Sequence, residues 1–218
     1  TMPDSGAPSS AAAVAPKMAY FPDPVKMGAE EGYPPPAVRA LLAGEPDLAC
    51  ETVTVAEILA GCLTAGDFTL LCMPGGFAPN YEQQLGVRGN DIIRAFVRAG
   101  GGFVGLCAGA YYGSSACLGL LPVRVLDLDR WARGCGQCQL AFTPLAATTL
   151  GSLGPASLLT VRYANGPIFQ ISSSSDCTAY PLAHYATEFA AESLGGASNF
   201  PPIMAGSPAA VIGHFGQG

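Results

Sequence analysis

Apolar residues fall in short blocks punctuated by glycine and proline, and the blocks alternate between strand-like runs and helical spacing. Met18-Ala19-Tyr20-Phe21 is continuously apolar and ends at Pro22 and Pro24, which predicts a buried first strand entering a loop. Pro34 to Pro36 then open a helical pattern, Ala37-Val38-Arg39-Ala40-Leu41-Leu42, closed by Gly44. Cys50 to Val55 predict a second strand, and Ala56-Glu57-Ile58-Leu59 a short helix ended by Gly61. Phe68 to Met73 is an apolar run stopped by Pro74-Gly75-Gly76, the pattern of a central strand covered on both faces. After a polar loop, Asn90 to Ala99 has an Asn-Asp start, apolar spacing at Ile92, Ile93, Phe96 and Val97, and a stop at Gly100 to Gly102. Phe103 to Leu106 then form the strand that leads into Cys107.

Strands alternating with helices imply a parallel sheet with right-handed crossovers and helices on both faces. Beyond Gly119 the apolar runs shorten, as in Val123-Arg124-Val125-Leu126 and Leu158-Leu159-Thr160-Val161, and predict a more antiparallel, β-rich second half. No internal repeat is visible. Residues 1–16, rich in Ala, Ser and Pro without periodicity, read as a flexible leader, and residues 17–218 as one domain. The chain opens on Thr1 rather than Met, which suggests a processed chain or part of a longer one.

Composition narrows the partners. With a net charge of -6 over 218 residues, the chain lacks the clustered Lys and Arg of a phosphate-backbone binder, so no nucleic-acid partner is expected. No apolar run reaches the roughly 20 residues that span a bilayer, and residues 1–16 do not have the form of a signal peptide. Eight cysteines in a chain long enough to form its own core read as free thiols in a reducing compartment, which points to an intracellular, cytoplasmic protein. Only 12% of residues are charged, which leaves room for a protein partner in a larger assembly.

Gly105-Leu106-Cys107-Ala108-Gly109 has the form of a nucleophile elbow, a sharp strand-to-helix turn flanked by glycines because strand and helix must approach closely. In an open α/β sheet such a turn lies at the carboxyl end of a strand, where ligands bind. A following helix over Ala110 to Ala116 would aim its amino terminus at the sulfur and favour the thiolate. The amide of Ala108, with one from Gly75 or Gly76 on the neighbouring loop, forms a candidate oxyanion hole.

The pattern running from Met73-Pro74-Gly75-Gly76 through Tyr81, Leu85, Gly89-Asn90, Ile93-Arg94 and Phe96-Val97 to Gly105-Leu106-Cys107-Ala108-Gly109-Ala110-Tyr111-Tyr112 and Ser114 resembles the amino-terminal domain of biotin–protein ligases. That domain belongs to the class I glutamine amidotransferase-like superfamily, which also holds thiol hydrolases and stress-response proteins. Arg162-Tyr163-Ala164-Asn165-Gly166-Pro167-Ile168-Phe169 is similar to the family's Tyr-x-Asn-Gly-Pro-x-Phe segment, and Met204 to Val211 with Gly216-Gln217-Gly218 to its penultimate strand and turn. The resemblance implies a three-layer α/β/α flavodoxin-like sandwich with a mostly parallel sheet. It also implies Cys107 as nucleophile toward an amide or related carbonyl of a small substrate, and a pocket lined by Tyr111, Tyr112 and Asn165.

Working amidotransferases of the superfamily activate their cysteine with a His-x-Glu segment on a strand after the turn that Gly216-Gln217-Gly218 resembles. The resemblance therefore implies that the last strand is not among these residues. His184 and His214 are the only histidines, and neither is followed by an acid two residues on. In the stress-response branch a Glu after the first strand contacts the cysteine; here the candidates are Glu30 and Glu31, with solvated loop charges as the alternative. Cys135-Gly136-Gln137-Cys138 has the spacing of a redox pair or half a zinc site, but no second ligand pair accompanies it, so loop cysteines and no metal are expected. Asp127 and Asp129 with Arg130 read as a solvated loop. No cofactor-binding motif is present. Two functions remain: a Cys-dependent amidotransferase-like or thiol-hydrolase-like domain, and a catalytically silent member of the fold serving as a binding or assembly module.

Overall fold

The computed structural model describes residues 16–25, 44, 48–64, 68–151, 157–172, 177–191 and 201–218. The leader up to residue 15, the helix expected over Ala37–Leu42, and Glu30 and Glu31 lie outside the described residues.

Among the described residues the first half builds a four-stranded parallel sheet from β1 (Lys17–Tyr20), β2 (Ala49–Thr52), β3 (Leu70–Met73) and β4 (Gly102–Gly105), in the order β2-β1-β3-β4. Alternation along β1 and β3 explains why their sequences carry almost no polar residue. Ala19, Phe21, Leu71 and Met73 enter one core, while Met18, Tyr20 and Cys72 are buried in a second cluster with Leu48 and Leu70. Among the described residues the first core is filled by three helices, α1 (Val55–Leu59), α2 (Ala78–Arg98) and α3 (Ala108–Gly113), through Ile58, Tyr81, Ile93, Phe96, Val97 and Tyr112. α1 is short but well started: Thr54 and Glu57 form a capping box, with the Thr54 amide donating to Glu57 Oε2 at 2.7 Å. The α/β class with a parallel central sheet is therefore as the sequence pattern predicts.

α2 departs from expectation at its start. The polar loop read before Asn90 is helical from Ala78, and Asn90 lies inside the helix. Tyr81, Leu85, Gly89 and Ile93 recur every four residues and are all buried, so a core-facing stripe continues through the polar stretch. Gly86, at φ 57°, interrupts the helical backbone and lets two helical segments join at a kink.

The second half is strand-rich and antiparallel. β6 (Cys135–Phe142) pairs with β7 (Leu158–Ala164), β9 (Ala179–Tyr185) and β10 (Ala190–Ala191), and β9 continues to β11 (Pro208–Gly213). β5 (Val123–Val125) pairs separately with β8 (Phe169–Ile171). A further helix, α4 (Pro144–Leu150), begins at Thr143, whose hydroxyl accepts from the Ala146 amide at 3.3 Å. Cys135 and Cys138 sit on strand β6 rather than in a loop. Three residues apart on a strand, they face opposite sides of the sheet, and both are free thiols. Among the described residues no helix is long and apolar enough to cross a membrane.

Candidate functional site

β4 ends at Gly105, and the backbone turns into α3 through Leu106 and Cys107. Cys107 has φ 50° and ψ -107°, a conformation costing an L-residue roughly 1–3 kcal/mol. The flanking glycines are required by contact. A Cβ on Gly105 would lie 2.5 Å from the Gly109 carbonyl oxygen, and one on Gly109 only 1.9 Å from the Met73 carbonyl oxygen. Two hydrogen bonds hold this approach, Leu106 N–H to Met73 O at 2.9 Å and Gly109 N–H to Pro74 O at 3.1 Å. The elbow and the Pro74-Gly75-Gly76 loop thus form one rigid corner.

That corner has donors to spare. Among the described residues the amides of Gly75, Gly76 and Ala108 donate to no protein acceptor. The loop is fixed from beneath by Asp23, a fully buried carboxylate just past β1. Asp23 accepts from Phe77 N–H at 2.8 Å, from Asn80 Nδ2 at 2.9 Å and from Val25 N–H at 3.0 Å. Phe77 is the residue at the start of α2 and has no side-chain cap of its own, so Asp23 acts as a cap supplied from another strand. Sequence reasoning missed this residue. The signal was an acid between two prolines at a strand's carboxyl end.

Cys107 borders a 410 Å³ cavity lying between the elbow and the antiparallel half. From α3 and its ends the cavity receives Cys107, Ala110, Gly113 and Ser114, which at spacings of three, six and seven residues occupy one helical face. The opposite wall includes Cys138, Val161, Tyr163, Phe169 and Tyr185, and the lining is mostly apolar. The sulfur lies 3.9 Å from the Ala164 carbonyl oxygen, to which it donates. Neither His184 nor His214 lines this cavity.

Three expectations need correcting. Tyr111, Tyr112 and Asn165 are not among the residues lining the cavity: the two tyrosines fall off the helical face that Cys107 and Ala110 define, and Asn165 lies just past the end of β7. Tyr112 is buried on the core side, bonded to Asn90 Oδ1 and tilted against the Tyr81 ring at 5.6 Å. Tyr111 donates its hydroxyl to the Asn165 carbonyl at 3.1 Å, while Asn165, at φ 52°, accepts the Gly134 N–H on its own Oδ1 at 2.6 Å. Next, α3 spans only six residues and ends at Gly113, not Ala116, so its dipole is a weak aid to a thiolate. Finally, Asp127 is not a solvated charge: it pairs with Arg130 at 3.0 Å and with Arg133, which is 6% exposed.

The segment Asn165-Gly166-Pro167 is held by three tyrosines. Tyr111 donates to the Asn165 carbonyl at 3.1 Å, Tyr163 to Gly166 at 2.9 Å and Tyr185 to Pro167 at 3.0 Å. Burial pushes the Tyr163 hydroxyl up to about 12, with Arg133 pulling it down and Cys107 pushing further up. Burial likewise raises Tyr111 and Tyr185 well above the usual tyrosine range. All three therefore remain proton donors to this segment near neutrality.

Residues 40–120 match the family model described as the N-terminal domain of biotin–protein ligase, the family to which the motif around Cys107 points. Among solved structures, a Listeria monocytogenes EGD-e protein with the provisional name peptidase E is 20% identical, with 45% of this chain and 49% of that chain covered at a TM-score of 0.38. The protein SMU.1228c is 16% identical over 78% of this chain and 68% of its own, at a TM-score of 0.44. The chain thus spans about half the length of the Listeria protein. No curated protein matches the chain.

Proposed function

We propose that residues 17–218 form a thiol-hydrolase-like or amidotransferase-like domain in which Cys107 attacks an amide or related carbonyl carbon. A sulfur–carbon bond forms, the carbonyl π electrons move to oxygen, and the amides of Ala108 and Gly76, with Gly75 as the alternative, receive the oxyanion. Collapse expels the amine, which takes a proton from solvent, and water then hydrolyses the thioester. The reading rests on one observation: a non-glycine residue is held at positive φ at the end of a parallel strand, beside a cavity and a rigid loop with undonated amides. The mostly apolar lining favours a substrate whose body is uncharged.

The test is ammonia or amine release from a panel of primary and secondary carboxamides, glutamine included, by the wild-type chain and Cys107→Ala. Turnover by the wild type that disappears in the variant is the expected result. A second reading, a binding module without turnover, draws on the absence of a histidine along the cavity. Absent turnover, together with alkylation of Cys107 no faster than that of the exposed Cys50, would establish the second reading over the first.

A further inference from the structure

Two hydrophobic clusters come together beside Cys107 without filling the space there. Leu121, Val123 and Phe169 belong to one, Leu140, Val161 and Tyr185 to the other, and all six border the 410 Å³ cavity. Protein interiors pack about as densely as organic crystals, so an apolar space of this size costs stability unless something apolar fills it. The hydroxyls along it spend their hydrogen bonds on the chain itself. Tyr163 and Tyr185 donate to the Gly166 and Pro167 carbonyls at 2.9 and 3.0 Å, and Ser114 donates to the Tyr111 carbonyl at 2.6 Å. Cys138 is a buried thiol and packs as a small hydrophobe. Among the described residues Arg162 is the one charged member of the lining. It alternates along β7 with Val161 and Tyr163, which pack into the second cluster, so its side chain leaves the sheet on the opposite face, and the residue is exposed. The cavity therefore offers carbon along its length and, at one end, a thiol on the corner that carries the Ala108 and Gly76 amides.

We propose that the cavity holds the hydrocarbon chain of an acyl substrate, so that the carbonyl presented to Cys107 is that of a medium-length aliphatic amide rather than of glutamine or another charged amide. Its chemistry rests on the reading of Cys107 as a nucleophile; the chain pocket rests on the lining. Glutamine would bring an ammonium and a carboxylate among side chains that return none of their hydration. An aliphatic chain instead gains about fourfold in affinity for each methylene taken out of water. The volume, 410 Å³, falls near the lower end of the range for small-molecule sites, about 300–1,000 Å³, which limits the chain to medium length. Attack forms the sulfur–carbon bond and breaks the carbon–nitrogen bond, and the amine leaves with the thiol proton, relayed by solvent. Water then cleaves the thioester, releasing the fatty acid and restoring the thiol.

The experiment measures how butyramide, hexanamide and octanamide protect Cys107 of the full chain from iodoacetamide, read by mass spectrometry of the Cys107 peptide, with ammonia release followed in parallel. The half-protecting concentration should fall about fourfold for each added methylene. The exposed Cys50 should stay unprotected throughout. Adipamic acid, which is hexanamide with a carboxylate in place of its end methyl, should protect at least about tenfold less well than hexanamide. Ala209→Phe, at a lining position that packs with the second cluster, should fill the space and flatten the series. Should that variant fail to fold by thermal melting, Ala110→Phe makes the same test from the α3 wall. A flat series in the wild type, a series unchanged in a folded filled variant, or adipamic acid matching hexanamide overturns the chain pocket. Ammonia release with a flat series keeps Cys107 as the nucleophile and overturns this substrate class. Graded protection without ammonia release supports the chain pocket and refutes instead the reading of Cys107 as a nucleophile.

Discussion

Replacing Gly109 by alanine adds one carbon where the helix after the elbow lies against the neighbouring strand. Gly109 does not need glycine for a positive φ, so the effect is steric. The new Cβ would lie 1.9 Å from the Met73 carbonyl oxygen and 2.6 Å from its carbonyl carbon. Non-bonded heavy atoms settle at roughly 3.5 Å, so β3 and α3 must part by on the order of 1.5 Å. Both obstructing atoms are backbone and cannot swing aside as a side-chain tip can. Overpacking of this kind costs about 3 kcal/mol. Parting the elements also breaks the 3.1 Å bond from Gly109 N–H to Pro74 O, worth about 1 kcal/mol more. A total of about 4 kcal/mol lowers the melting temperature of a domain this size by roughly 8–16 °C. The assay is thermal unfolding by circular dichroism, with Gly206→Ala as comparator. Gly206 has φ 86° and open space around its Cβ position, so alanine there costs only the backbone preference, about 1–2 kcal/mol. A Gly109→Ala melt within about 2 °C of wild type, or above that of Gly206→Ala, refutes the close-approach argument.

Three further outcomes follow from the same geometry. Cys107→Gly should melt above Cys107→Ala, by an amount corresponding to roughly 1–2 kcal/mol, because glycine accepts φ 50° without strain; equal melts would show that the elbow stores none. Asp23→Ala should cost roughly 3 kcal/mol in urea unfolding, since Phe77 N–H and Asn80 Nδ2 lose a buried charged acceptor; a loss under about 1 kcal/mol would place the cap elsewhere. The Tyr163 hydroxyl is pushed up from 10 to about 12, first by burial. Because the folded state holds this proton more tightly, its contribution to stability is fully present below pH 10 and lost as pH rises through about 12. Urea midpoints between pH 9 and 12 should therefore fall more steeply for wild type than for Tyr163→Phe, and parallel slopes would refute the assignment.

The sequence by itself determined the parallel half and the elbow, because each rests on local rules. Uninterrupted apolar runs become strands buried on both faces, and glycines at two-residue spacing around Cys107 mark a turn too tight for side chains. The early start of α2 was hidden because Gly86 and the glutamines mask a stripe whose buried members are four residues apart. Site composition was a tertiary matter. Tyr111 and Tyr112 follow the elbow directly, yet the 100° step between helical residues turns both away from the cavity, while Cys138, Tyr163 and Tyr185 reach it from distant strands. Asp23 and Arg133 are ordinary charges in the sequence. Only packing made them buried, one beneath the Gly76 loop and the other against Asp127, because a charge's role depends on what excludes water from it and no neighbour in sequence sets that.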